Sequence, residues 1–345
     1  MNTLPTSTHH HPSSPVATCR HLSPHVATSA SAASRPAAAG GPYSLLTTRY
    51  SLLFPCLAAF LLCLSCTANA APKSKSKPPT DFSPFESRQY QKDGLTLPYR
   101  ILYPEAMQTP APPGQPPQKY PLFLFLHGMG KRGTDNTAQL DRGGELFLTP
   151  ANRKQYPCIA LYPQAPQTSA FVEIIDADGQ VIATGGFAQL AKVTGASSSQ
   201  AKAPTARLSP YGNMVMDVLN QLIASGIVDT NRIYIAGSSM GGFSTYAFIT
   251  QYPDLFAAAA PMAGAADISK MSAWAGKVPI WIFHGGADPT VPVEGDRAVF
   301  AKLKEMGVDP STYKYTEYPG VGHPSWDKAF AEPDFLKWFF EHKKK

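Results

Sequence analysis

The sequence predicts an α/β protein: a mostly parallel central sheet, helices on both of its faces and an antiparallel hairpin at the N-terminal end. Three observations carry this expectation. Runs such as Pro121–Leu126 and Val278–Phe283 are continuously apolar rather than alternating, the pattern of strands buried on both faces. Stretches of helical period lie between them, the clearest being Met214, Val215, Val218, Leu219, Leu222 and Ile223. Several strand-like runs end directly in small or polar turn residues, at the sheet end where ligands bind in such folds.

The first seventy of the 345 residues stand apart. Residues 1–42 are rich in Ser, Ala, Pro, His and Thr, hold no acidic residue and show no hydrophobic period, so they bury too little apolar surface to order themselves. Residues 43–70 read as a signal peptide: Arg49, the apolar run Leu52–Leu64, then Ala68-Asn69-Ala70. Cleavage after Ala70 and a secreted or periplasmic location are expected, with a start of translation near Leu45. The run is too short and interrupted for a stable membrane span. Lipidation at Cys66 is disfavoured because Cys63, not an aliphatic residue, stands three positions before it.

Cleavage there removes four of the five cysteines and leaves Cys158, expected to be an inert core residue, so no intrachain disulfide can form. It also removes three arginines and no acid, taking the formal charge from +6 to +3, too mild to imply a nucleic-acid partner. Four histidines remain: His127, His284, His323 and His342.

Residues 71–84 form a Lys/Ser/Pro linker, and 85–345 are expected to be one catalytic domain. Phe85–Gln91 and Leu95–Tyr103 flank Lys92-Asp93-Gly94, a hairpin turn signal. Pro121–Leu126 and Cys158–Tyr162 read as further strands. An insertion at about 167–210 should hold a hairpin, Phe171–Ile175 with Gln180–Thr184, and a mobile loop over 194–207. The Asp176-Ala177-Asp178-Gly179 turn lacks the full acidic spacing of a calcium loop. A helix ending at Gly226, a strand Arg232–Ala236, a helix from Phe243 and a strand Ala257–Met262 follow. The chain then continues with strand Val278–Phe283, helix Val293–Met306, strand Tyr313–Tyr318 and helix Pro333–His342.

The chemistry gathers at Gly237-Ser238-Ser239-Met240-Gly241, a G-x-S-x-G between a strand and a helix. Such an elbow thrusts its central serine, Ser239 rather than Ser238, out on a strained turn. A serine hydroxyl needs a base to take its proton and a carboxylate to orient that base. His342 lies in the lysine-rich end, and His127 and His284 sit in His-Gly turns where structural bonding is expected. His323, in the flexible Pro319-Gly320-Val321-Gly322-His323 loop, is left as the base. Asp288 follows a buried strand in a loop stiffened by Pro289 and Pro292, whereas Asp254 and Asp267 suit caps or surface. The order Ser239, Asp288, His323 is that of one serine-hydrolase fold only. The amides of Met240 and of Met129, in His127-Gly128-Met129-Gly130, are the expected oxyanion donors. Asn136 and Gln164 could hydrogen-bond a polar substrate, although structural loop bonding is favoured for each, and Trp326 could wall the pocket or pack in the core.

The run Leu126-His127-Gly128-Met129-Gly130-Lys131-Arg132-Gly133-Thr134-Asp135-Asn136, with Gly-Ser-Ser-Met-Gly-Gly, His-Gly-Gly-Ala-Asp-Pro and Pro-Gly-Val-Gly-His, resembles secreted α/β-hydrolase esterases. The branch it resembles is the phospholipase/carboxylesterase-like one often labelled predicted peptidase, near the feruloyl and acetyl esterases of carbohydrate esterase family 1. The resemblance runs from about Phe85 to the C-terminus and departs from the family at 167–210. It implies ester hydrolysis through an acyl-enzyme with no metal or organic cofactor. The expected substrate is an acyl ester of plant polysaccharide or a small soluble ester. A prolyl-oligopeptidase-type peptidase shares the triad, but the sequence lacks the blade repeats of its propeller. A non-catalytic binding protein on this fold would be expected to have lost part of the triad.

Overall fold

The structure, a computed structural model, describes residues 80–108, 118–176, 178–184 and 205–344. The expected low-complexity segment, the signal peptide and most of the linker lie outside the described residues, as does 185–204 of the insertion.

The chain opens with β1 (Glu86–Lys92) and β2 (Leu95–Leu102), paired antiparallel. Asp93 and Gly94 turn the hairpin at φ 50° and 75°, the left-handed values that Asp and Gly tolerate best. β3 (Tyr120–Leu126) is buried at every residue and lies at the sheet's centre. The short helix α1 (Pro150–Gln155), not anticipated from the sequence, is capped by Thr149, whose side chain accepts from the Asn152 amide. Next come β4 (Ile159–Pro163), β5 (Val172–Ile175), β6 (Val181–Thr184), β7 (Thr205–Leu208) and helix α2 (Pro210–Ala224). β8 (Val228–Ser238) feeds helix α3 (Met240–Gln251), and β9 (Ala258–Met262) and β10 (Ile280–Gly285) follow. Helix α4 (Glu294–Glu305), β11 (Tyr313–Tyr318), α5 (Trp326–Phe330) and α6 (Phe335–Glu341) complete the chain.

Eight described strands form the main sheet in the order β1-β2-β4-β3-β8-β9-β10-β11. Only the first three make antiparallel pairs; from β4 to β11 every pairing is parallel. Because side chains alternate across a strand, β3 sends Leu122, Leu124 and Leu126 to one face, and Phe123 and Phe125 to the other. The aliphatic face packs on α2, α3 and α4 through Val215, Leu219, Phe248 and Val299. The aromatic face packs on α6, where Phe339 meets Phe123 edge-on with ring centroids 4.7 Å apart. This is the α/β-hydrolase fold.

The insertion corrects one expectation. The expected hairpin is present as β5 and β6, but the C-terminal part of the stretch assigned to a loop forms β7, which pairs antiparallel with β5. The reason is local: Leu208 buries against the core and Arg207 pairs with Glu173 across the ladder, contacts that the small, polar residues before them gave no hint of.

Candidate active site

Ser239 follows β8 and takes the N-cap position of α3 at φ 56° and ψ −117°, a conformation that a non-glycine residue holds only when its surroundings impose it. They do so here. The Ser239 amide donates to the Met262 carbonyl at 2.8 Å, and its own carbonyl accepts from Phe243 in the first turn of α3. Gly237 and Gly241 let that turn close: a Cβ on Gly237 would stand 2.3 Å from the Gly241 carbonyl oxygen.

Two further loops converge on it. The turn after β10 carries Asp288, and the turn after β11 carries His323. They are laced together by Gly286 N–H to the Tyr318 carbonyl and Ala287 N–H to the Val321 carbonyl, each at 2.9 Å. Gly285 permits the close approach, since a Cβ on it would lie 2.3 Å from the Gly322 oxygen. His323 Nδ1 is 2.7 Å from Asp288 Oδ2, and His323 Nε2 is 2.9 Å from Ser239 Oγ. A carboxylate only accepts, so Nδ1 carries the proton and Nε2 is free to accept from the Ser239 hydroxyl. Sequence reasoning named all three residues, and the fold brings them into one line.

The Asp288 side chain is wholly buried, yet four bonds hold it as an anion. Its Oδ1 accepts from the amides of Thr290 and Val291, and its Oδ2 faces both His323 and, at 3.4 Å, His284 Nε2. Burial alone would raise its pKa, but the bonds from His284, His323 and the two amides outweigh that and hold it well below the usual carboxylate range.

The two expected oxyanion amides occupy equivalent positions. Met240 and Met129 each open a helical turn, where the N–H has no acceptor within its own helix. Gly128 brings the Met129 turn against the elbow: a Cβ on Gly128 would be 3.4 Å from Ser239 Cβ and 3.2 Å from the Ser238 carbonyl oxygen. His127 anchors this turn from below. Its Nδ1–H donates to the Gly128 carbonyl, and its Nε2 accepts from the Ala165 amide. Burial pushes its pKa down to about 4, so it is neutral and structural, as expected from the sequence.

Asn136 and Gln164, candidates for substrate contact, are both buried and bonded within the protein. Asn136 Nδ2 donates to Ser87 Oγ and to the Arg88 and Tyr99 carbonyls, and its Oδ1 accepts from Gln139. Gln164 Oε1 accepts from the Asn136 amide, and its Nε2 donates to the Lys131 carbonyl and Asp135. They clamp the loop after β3 to β2; the polarity that suggested substrate binding serves the framework. Trp326 does stand beside the line of Ser239, His323 and Asp288. Its ring meets His323 edge-on at 5.1 Å, Arg142 lies over it at 5.2 Å, and its indole N–H has no partner among the described residues. Cys158 is buried, and its thiol is pushed up to about 12 by that burial.

Sequence reasoning missed what lies behind Asp288. His284 Nδ1 is 2.6 Å from Asp296 Oδ2, and Asp296 Oδ1 accepts from Tyr246 at 2.6 Å. Each of these side chains is buried, and they come from β10, α4 and α3. An aspartate in the first turn of a helix reads from sequence as a cap, so Asp296 gave no signal of its own. Among the described residues, no group of three or more His, Cys, Asp or Glu is arranged to hold a metal ion.

A hydroxyl bonded to an imidazole that a carboxylate anchors can pass its proton to that imidazole while attacking a carbonyl. Comparison with known proteins supports a serine hydrolase acting on carboxylic esters. A family model described as the prolyl oligopeptidase family matches residues 214–277, the segment from α2 through the elbow and β9. The chain is 35% identical to carboxylesterase SOBER1 of Arabidopsis thaliana over 111 residues, 31% of this chain and 47% of that one. It is 27% identical to a probable carboxylesterase of Oryza sativa subsp. japonica over 226 residues, 64% of this chain and 87% of that one. The crystal structure of a thermostable esterase superposes with a TM-score of 0.60 at 32% identity, covering 76% of this chain and 64% of that one. The chain spans less than half the length of most of the curated relatives it matches.

Proposed function

We propose that the protein is a serine esterase hydrolysing carboxylic esters through Ser239, His323 and Asp288. The observation that carries the reading is the unbroken line from Ser239 Oγ to His323 Nε2, at 2.9 Å, and from His323 Nδ1 to Asp288 Oδ2, at 2.7 Å. Similarity to carboxylesterases and to an esterase structure supports ester over other acyl substrates.

Ser239 Oγ attacks the ester carbonyl carbon while its proton moves to His323 Nε2. The charge on the former carbonyl oxygen is met by the N–H groups of Met129 and Met240. Collapse of the tetrahedral intermediate breaks the bond to the alcohol, which leaves with the proton from His323 and yields an acyl-Ser239 enzyme. Water then repeats the sequence, giving its proton to His323, and the acid is released. Asp288 keeps the imidazole oriented and stabilises its cation without taking the proton.

The substrate proposed is an acyl ester of plant polysaccharide or a small soluble ester, met outside the cytoplasm after signal-peptide cleavage near Ala70. The match to the prolyl oligopeptidase family supports a second reading, a serine peptidase, on the same triad. A panel of feruloylated, acetylated and simple alkyl esters beside proline-containing peptides separates the two. Ester turnover lost in Ser239→Ala supports the first; selective peptide cleavage supports the second; turnover retained in Ser239→Ala sinks both. Secretion is tested by N-terminal sequencing of exported protein, which should begin at Ala71.

A further inference from the structure

The buried side chains behind Asp288 have a charge pattern that a packing role does not require. Both ring nitrogens of His284 face acceptors: Nδ1 faces Asp296 Oδ2 at 2.6 Å, and Nε2 faces the Val291 carbonyl at 3.0 Å and Asp288 Oδ2 at 3.4 Å. A neutral imidazole has one N–H and would leave one of these contacts between two acceptors, at zero exposure. Two protons satisfy all of them.

We propose that His284 is a positioning residue that acts as a buried cation: fixed by Asp296, its imidazolium holds the Asp288 carboxylate at Oδ2, the same oxygen that faces His323. The chain therefore runs Tyr246, Asp296, His284, Asp288, His323, Ser239, with every adjacent pair within 3.4 Å. This extends the triad reading and rests on it.

Charge counting shows what the cation does. Asp288 and Asp296 supply two buried negative charges, and His284 cancels one. The single remaining charge is the one that His323 neutralises on taking the Ser239 proton. The other ionisable groups around His284 do not substitute for it. Glu317 lies opposite it in the β10–β11 register but is bound through both oxygens to Arg297 and also accepts from Tyr315. Tyr246 is a neutral donor to Asp296. Arg142 lies over the Trp326 ring, which itself meets His323 edge-on. Burial disfavours a charged His284, but its bonds to Asp288 and Asp296 prevail and push its pKa up to about 10. The same imidazolium also ties the loop it controls, because Val291, whose carbonyl it binds, donates its amide to Asp288.

Without this cation His323 would face up to two carboxylate charges, which would favour its protonated, unreactive form. In His284→Gln the acidic limb of kcat/KM for p-nitrophenyl acetate should move to higher pH by about one unit, from a like-sized charge some two contacts away. The loss should approach about tenfold at low pH and close as the pH rises above the new midpoint. A loss equal at every pH, with the midpoint unmoved, would mean a purely structural role and overturn the proposal. Nitrogen NMR of the wild-type protein tests the charge itself with no variant to fold: at pH 7.5 both His284 ring nitrogens should be protonated, and a neutral ring overturns the proposal. The ring state is readable in Ser239→Ala as well, so a chain without esterase activity would strike the triad reading and leave this measurement standing.

Discussion

Gly241 lies so close to the end of β3 that a Cβ on it would stand 1.8 Å from the Leu126 carbonyl oxygen. Leu126 leads directly into the Met129 turn, so this one contact sets the spacing between the two expected oxyanion amides. Gly241→Ala must push α3 away from backbone that cannot yield. Its cost should reach about 3 kcal/mol or more, the upper range for overpacking, and should take esterase activity with it. Gly130, in the same turn as Met129, has a negative φ, and a Cβ on it would meet nothing within 4 Å. Gly130→Ala should stay within about 0.5 kcal/mol of wild type by urea denaturation. Equal effects of the two substitutions would refute the spacing argument.

Ser239→Ala removes the attacking oxygen and should lower kcat by about 10³-fold or more without lowering the unfolding midpoint. Asp288→Asn should cost about 10³- to 10⁴-fold, because an amide can donate to His323 Nδ1 and favour the wrong tautomer. Unlike the serine substitution, it should also destabilise the fold, since Asp288 closes the turn through Thr290 and Val291 and faces His284. Turnover of p-nitrophenyl acetate, paired with thermal melts, distinguishes the two patterns.

Asn136 is the test of framework against substrate contact. It sits at φ 51°, shares the two protons of its amide nitrogen among three acceptors and is buried. Asn136→Ala leaves the Tyr99 and Arg88 carbonyls short of a donor and places a Cβ-bearing residue without Asn's tolerance in the left-handed region. The expected loss is about 2–4 kcal/mol of stability. KM for alkyl esters should be unchanged in the protein that remains folded. A raised KM at unaltered stability would return Asn136 to the substrate site.

The line from Ser239 to Asp288 was legible in the sequence because chemistry and topology constrain it together: each member follows a strand, and the chain order is fixed by the fold. The strands were legible because burial on both faces leaves continuous apolar runs, as in Tyr120–Leu126. What escaped was whatever depends on long-range partners. Asp296 looks like a helix-first-turn acid until β10 sets His284 beside it, and β7 is visible only once Arg207 finds Glu173. The framework bonds of Asn136 and Gln164 were hidden for the same reason, since those of Asn136 reach β1 and β2 and those of Gln164 reach Lys131, Asp135 and Asn136 in the loop after β3.

The two buried histidines that do not touch Ser239 should give stability a maximum near pH 6.5. His127 titrates at about 4 in the fold against 6.5 in a free chain, because burial disfavours its charge. Above pH 6.5 it is neutral in both states and contributes nothing. Between 6.5 and 4 the unfolded chain takes up a proton that the native protein refuses. Stability therefore falls by about 1.4 kcal/mol per pH unit at its steepest, toward a total of about 3 kcal/mol. His284 works in the opposite sense. Its folded value of about 10 lies above 6.5, so its contribution is complete below pH 6.5 and is lost as the pH rises through about 10. Carboxylates add their own losses only below about pH 4.5, which leaves the interval from 6.5 to 5 to His127. Urea midpoints measured from pH 5 to 10 should trace this rise and fall. His127→Asn, although less stable overall for want of its bonds to Gly128 and Ala165, should flatten the acidic slope and leave the alkaline one. A slope between pH 6.5 and 5 that persists unchanged in His127→Asn would show that another group causes it.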